Sequence, residues 1–283
     1  MYSRALVRRV PTTVGNALSI GGTSSFIDYA AAVAQHEEYS AALKRAGVAV
    51  TEIAADEAFP DCTFIEDTVV CHGNVSGESV ALLTVPGAES RRGEVMAVAE
   101  QLEALGIDSI NFMGGDARCD EGDVLVGDDF IFVGLTTRTN EAGFRAVRDV
   151  FGRSMNVIPI DLREIFSAHS GNILHLKSLA SLYDSRTAVI ADCPEGRALC
   201  SVMEETFHGD LLMVPEMAGA NIVRVNSTIL LPAGCPGTRA VLAARGEVGR
   251  GDDEDGQGVR LVELDNSELA KADGALSCKS VLF

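Results

Sequence analysis

Two strands, a helix and a third strand recur in that order along the 283 residues, and this rhythm limits the fold more than any other feature. Ile65–Cys71 and Val80–Val85 read as strands from their β-branched content and the Gly and Ser breakers between them. Residues 90–105 follow with Val95, Val98, Leu102 and Leu105 at helical spacing, and Ser109–Met113 reads as the next strand. The order returns in Val124–Val126, Phe130–Val133, a helix over 140–151 and Val157–Ile160. It returns again in Asn172–Leu176, Ala188–Ile190, a helix near 196–206 and Leu211–Val214. Ile222–Val225, Thr228–Leu231, a helix near 236–245 and Val259–Val262 make a further unit. Ala5–Val7, a helix over 28–46 capped by Asp28 and Val48–Ile53 lack one strand, which Ala275–Phe283 can supply by closing a ring. The economical architecture is therefore α/β: five β-β-α-β units arranged cyclically in a single domain spanning 1–283. A plain α+β domain without symmetry is the alternative. The charged, glycine-rich run 250–258 reads as a surface loop.

Charge narrows the partners. With 41 acidic against 23 basic side chains, the net charge is −18. Such a surface repels phosphate backbones, so nucleic acid is not an expected partner, whereas a small cation is. No apolar run reaches the length of a membrane span. The seven cysteines are odd in number, irregularly spaced and without a Cys-x-x-Cys pair. That argues against a disulfide framework and a zinc ribbon, and for reduced thiols in the cytoplasm. Arg4, Arg8 and Arg9 precede any acid, but Ala5–Val7 makes this an ordinary first strand rather than a transit peptide.

Four places carry residues suited to chemistry. Asp61-Cys62-Thr63-Phe64-Ile65-Glu66-Asp67 sets three carboxylates beside a strand, where alternation separates Asp67 from Glu66. Buried carboxylates would need a cation; strand-end acids in solvent are the other reading. Cys119-Asp120-Glu121-Gly122-Asp123 is an acidic turn whose glycine suggests a close backbone approach. His175 lies in an apolar stretch, where a satisfied core histidine is the plainer reading. Cys278 is followed directly by Lys279, whose side chain would point to the opposite strand face; nearby cations favour a thiolate, and an inert cysteine in a last strand fits as well.

Taken together, these segments resemble the dimethylarginine dimethylaminohydrolases of the guanidino-modifying pentein superfamily. The resemblance is carried by residues 60–67, Pro86-Gly87-Ala88 with Ser90-Arg91-Arg92, Gly122-Asp123-Val124-Leu125, Val133-Gly134-Leu135 with Arg138-Thr139-Asn140, His175-Leu176-Lys177-Ser178 and Asp273–Leu282. It implies a five-bladed α/β propeller, a place in arginine metabolism and nitric oxide regulation, and hydrolysis of methylated arginine to citrulline and a methylamine. It makes Cys278 the nucleophile, His175 the general acid/base and Asp120 the third catalytic carboxylate. It assigns Asp67 to the guanidinium, with Asp61 and Glu66 in the same acidic mouth, Arg91 and Arg138 to the substrate carboxylate, and Leu18 and Ala272 to backbone contacts with its amino-acid end.

Departures from the family pattern leave alternatives open. Glu121 stands where a glycine is usual, so either Asp120 or Glu121 can be the third carboxylate. Segments 72–78 and 250–258 are longer than is typical. No cofactor is implied, although zinc could occupy a Cys278–His175 pair as an inhibitor. An arginine deiminase or another guanidino hydrolase would use the same trio, and a non-catalytic pentein that binds a macromolecule is a further alternative. A monomer and a homodimer fit the sequence equally.

Overall fold

The computed structural model describes residues 1–20, 26–73, 79–169, 173–245, 248–249 and 258–283. The chain opens with β1 (Arg4–Arg8), α1 (Tyr29–Arg45) and β2 (Ala49–Ile53). Asp28 caps α1 by accepting from the Ala31 amide at 3.1 Å, as its position before the helix suggests. The first complete unit is β3 (Val69–Gly73), β4 (Ser79–Leu83), α2 (Val95–Ala104) and β5 (Ser109–Phe112). Next come β6 (Val124–Val126), β7 (Phe130–Leu135), α3 (Glu141–Phe151) and β8 (Asn156–Asp161), with Asn140 capping α3. A short α4 (Arg163–His169) leads to β9 (Ala180–Asp184), β10 (Thr187–Ala191), α5 (Pro194–Met203) and β11 (Asp210–Val214). The last full unit is β12 (Val223–Val225), β13 (Thr228–Pro232), α6 (Pro236–Ala244), a two-residue β14 (Val248–Gly249) and β15 (Val259–Leu264). The final strand, β16 (Ser280–Leu282), completes the set.

These strands form five small sheets with one shared plan: the first strand is antiparallel to the second, and the second is parallel to the third. Parallel pairing needs a crossover, which each helix supplies. The fifth sheet joins the two ends of the chain, with β16 antiparallel to β1 and β1 parallel to β2. Its register is Ala5 to Leu282 and Val7 to Ser280. The ring of five units expected from the repeat is what forms. Apolar clusters fill the wedges between neighbouring units; one joins Ala5, Val7, Tyr39 and Leu43 to Val225, Leu230 and Leu276.

Several expected strands begin later than read. Residues 65–68 form a 3₁₀ turn before β3, residues 176–178 another ahead of β9, and residues 277–279 another before β16. Equivalent turns at 121–123 and 218–220 precede β6 and β12. Apolar β-branched residues at 65 and 124 look alike in sequence, yet only the latter lies in the strand. These five turns gather at the ring's axis, and they carry or adjoin Asp67, Asp120, His175 and Cys278. Most of segment 72–78 and of loop 250–258 falls outside the described residues.

Candidate active site

A cavity of about 140 Å³ opens at one end of the axis, lined by Leu18, Asp61, Asp67, Arg91, Arg138, His175, Ala272 and Cys278 among others. The turn geometry explains why the functional residues segregate. Asp67 and Cys278 face this cavity, whereas their neighbours Glu66 and Ser277 face a second, 390 Å³ channel at the opposite end.

Between the two lies a polar ring, one residue from each turn region. Lys177 Nζ donates to Glu66 at 2.9 Å and to Glu121 at 2.6 Å. Ser277 Oγ donates to Glu66 at 2.9 Å, and Asn221 Nδ2 donates to Ser277 Oγ and to the Lys177 carbonyl, each at 3.0 Å. Burial pushes Glu121 up, and Lys177 opposes that shift. Glu66 therefore does not join the substrate mouth expected of it. Glu121 is likewise committed to Lys177, so of the two candidate carboxylates Asp120 is the one near His175.

Asp123, a residue that sequence reasoning passed over, organises the pocket wall. Fully buried, it accepts from the hydroxyls of Thr136 and Thr139 at 2.7 Å each and from the Leu176 amide at 3.0 Å. Its Oδ1 stands 3.4 Å from His175 Nδ1. Thr136 Oγ1 in turn accepts from the Arg138 amide at 3.0 Å, so one carboxylate fixes both the histidine and the arginine segment. The Gly-Asp pair entering β6, with Thr136 and Thr139 three residues apart, was the available signal.

The remaining acids surround the ring of His175. Asp120 is buried, accepts from the Gly87 amide at 2.7 Å, and its Oδ2 lies 3.9 Å from His175 Nε2 and 3.6 Å from Arg138. Asp67 accepts from the Gly122 amide at 3.0 Å and from Arg91 at 2.5 Å. A Cβ on Gly122 would meet His175 Cγ at 2.9 Å, so the close approach read from this glycine is toward the imidazole. Asp61 accepts from the Leu18 amide at 3.0 Å, which ties the segment before residue 20 to the mouth.

Arg91 lines the cavity but is largely committed elsewhere. It donates from Nη1 to Asp67, from Nη2 to the Phe64 carbonyl and Glu94, and from Nε to Glu94. A guanidinium has five donors, so a single Nη1 hydrogen stays available. The expected pair of carboxylate grips thus reduces, in this state, to Arg138, whose side chain is 20% exposed.

Electrostatics assign the protons. Burial disfavours the His175 imidazolium, but Asp123, Asp67 and Asp120 outweigh it and lift the ring to about 9. Burial and the Asp67 charge raise Asp120 to about 6, against the pull of His175 and Arg91. Burial also raises Asp67, yet Arg91, His175 and the Gly122 amide prevail and hold it low. Burial, then Glu66 and Asp67, push the Cys278 thiol up, only partly offset by the Ala275 amide and Arg91. At rest, Cys278 is thus held as the thiol and His175 as the imidazolium, both lining the same cavity. Asp67, Asp120 and His175 place ligand atoms within 4.8 Å of one another, a donor set that can hold a divalent cation.

The family described as N,N dimethylarginine dimethylhydrolase, eukaryotic, matches residues 12–194. The N(G),N(G)-dimethylarginine dimethylaminohydrolase of Pseudomonas aeruginosa is 30% identical, over 97% of this chain and 98% of that protein. Its namesake in Streptomyces coelicolor is 31% identical over 98% and 96%. The solved structure of the Pseudomonas aeruginosa enzyme, a cysteine-to-serine mutant complexed with citrulline, superposes with a TM-score of 0.84, 27% identity and full coverage of both chains. The ring of five sheets, the acidic pocket and these matches agree, and the chain belongs to the dimethylarginine dimethylaminohydrolase family.

Proposed function

We propose that the chain hydrolyses Nω-methylated arginines, asymmetric dimethylarginine and monomethylarginine, to citrulline and dimethylamine or methylamine. The observation that carries this reading is the meeting of Cys278, His175 and Asp67 in one small acidic cavity with Arg138 at its mouth. A guanidinium carbon is a poor electrophile, so it must be held planar against a strong nucleophile. Asp67, ionised, pairs with the cation, Asp61 adds negative potential, and Arg138 takes the substrate's carboxylate. The arriving cation offsets Glu66 and Asp67, lowers the Cys278 thiol, and releases its proton to solvent.

The Cys278 thiolate then adds to the guanidinium carbon. The C–N bond to the methylated nitrogen breaks as His175, protonated, donates to the leaving amine. Neutral His175 next takes a proton from water, whose oxygen attacks the thiouronium carbon; the C–S bond breaks and citrulline departs. Asp120 and Asp123 hold the imidazole between these two roles. No resident metal takes part; zinc across Cys278 and His175 inhibits, and added zinc that raises turnover would contradict this.

Seven unpaired cysteines support a reducing, cytoplasmic setting. Among the described residues no helix is long and apolar enough to cross a membrane. The test is citrulline release from asymmetric dimethylarginine, monomethylarginine and arginine. The methylated substrates are expected to turn over faster, and Cys278→Ser to abolish release. Faster turnover of arginine, or full activity in the serine variant, overturns the reading.

A further inference from the structure

Among the described residues, the axial turn at 218–220 gives no side chain to the substrate cavity. The residue that closes it, Asn221, is nevertheless tied to two of the turns that carry or adjoin the reacting groups. Its side chain is buried, and Nδ2 donates to the Lys177 carbonyl and to Ser277 Oγ, each at 3.0 Å. Its Oδ1 accepts from the Ser277 amide at 3.0 Å. Lys177 lies two residues after His175, and Ser277 immediately precedes Cys278. One short amide thus spans the turn that holds the nucleophile and the turn that follows the general acid.

This amide has one workable orientation. Turned over, Oδ1 would face the Lys177 carbonyl, which only accepts, and Nδ2 would face the Ser277 amide, which only donates. The backbone on either side of Asn221 is anchored to β9, the strand that leads out of the His175 turn. There Ser181 Oγ donates to the Ala220 carbonyl and accepts from the Ile222 amide at 3.2 Å. A second link between the two turns runs from Lys177 Nζ through Glu66 to Ser277 Oγ, along two long side chains. Such chains have many rotamers and locate their ends loosely. Asn221, short and buried, bonds main-chain atoms on both sides, and so transmits position more directly.

We propose that Asn221 is a positioning residue that sets the alignment of Cys278 with His175 by bonding the main chain of both turns. This rests on the hydrolase reading, with Cys278 the nucleophile and His175 the general acid. Asn221 lines the 390 Å³ channel rather than the substrate cavity, so it acts through the backbone and not on the substrate. The alignment it holds is used twice. His175 must reach the amine that leaves the carbon bonded to Cys278, and later the water that attacks that same carbon.

The experiment compares the whole wild-type chain with Asn221→Ala and, should that variant not fold, Asn221→Ser. Steady-state citrulline release from asymmetric dimethylarginine gives kcat, read well below each variant's melting temperature. Calorimetry gives the dissociation constant of dimethylarginine in Cys278→Ser with and without the change at Asn221, where turnover does not intervene. Loss of the bonds is expected to lower kcat by about tenfold or more, while the dissociation constant shifts by less than about threefold. A smaller fall in kcat in a folded variant, or a larger loss of binding, overturns the proposal and leaves Asn221 a residue of stability alone. Failure of the hydrolase reading is distinct, because it shows in the wild-type chain and in Cys278→Ser before Asn221 is touched.

Discussion

Gly122→Ala tests how tightly the general acid is held. The added methyl would lie 2.9 Å from His175 Cγ, 3.0 Å from Cδ2 and 3.2 Å from Asp67 Oδ1. Carbon atoms settle no closer than about 3.5 Å, so the imidazole must retreat by roughly 0.6 Å. It has little room to do so, because Asp123 bounds one side at 3.4 Å and Asp120 the other at 3.9 Å. Misplacing a catalytic group by about 1 Å can lower a rate about 10²-fold. A retreat of this size should therefore reduce kcat by roughly 10- to 100-fold, or about 1.4–2.7 kcal/mol of transition-state stabilisation. Arg138 does not move, so the KM for dimethylarginine should change less than about threefold, roughly 0.6 kcal/mol. Steady-state citrulline formation gives kcat and KM separately, and circular dichroism verifies the fold. A folded Gly122→Ala variant with kcat within about twofold of wild type would refute the argument that the glycine exists to admit the histidine.

Three further outcomes can be measured. Lys177→Met leaves Glu66 and Glu121 facing each other without their shared cation, and should destabilise the protein by roughly 3–5 kcal/mol; an unchanged denaturant midpoint would contradict the polar ring's structural role. Asp123→Asn removes the largest contribution raising His175 above 6.5 toward 9, so the alkaline limb of the kcat profile should fall by about one pH unit or more. Lys279 sits at about 7 rather than 10.5, so between those values the folded chain binds fewer protons than the unfolded one. Its penalty is therefore complete below pH 7 and disappears as pH rises to 10.5. Lys279→Met should be more stable than wild type in acid, by at most about 5 kcal/mol, with the gap closing in alkali; a gap independent of pH would count against this assignment.

The ring of five units was legible because periodic apolar residues and breakers mark strands and helices locally. The turns were not, since Ile65 and Leu176 satisfy a strand's composition while tertiary packing coils them into 3₁₀ geometry. That one difference separates what was read well from what was not. Cys278, His175, Asp67 and Arg138 were recognisable as chemistry-bearing residues in the family's order. Alternation set Glu66 apart from Asp67, and the two do face different cavities, although a 3₁₀ turn rather than a strand's pleat separates them; the resemblance alone put both in one mouth. Arg91 looked available because a sequence does not show that Glu94, three residues on, and the Phe64 carbonyl would occupy its donors. The part played by Asp123 was hidden for a related reason: it is a polar residue immediately before an inner strand, a place where composition predicts apolar packing.

Pairing Ala5 with Leu282 has a consequence for how the enzyme comes into being. Contacts between segments so far apart in the chain form slowly, because closing a long loop must precede any gain from the contact. During synthesis β1 is made well before β16 and waits with one edge unpaired until that strand follows. Until then the reactive turn 277–279 has no sheet to anchor it. The thiol and the seam that completes the ring mature together, so a nascent chain still short of β16 would carry four finished units, an exposed strand edge prone to self-association, and no catalytic power.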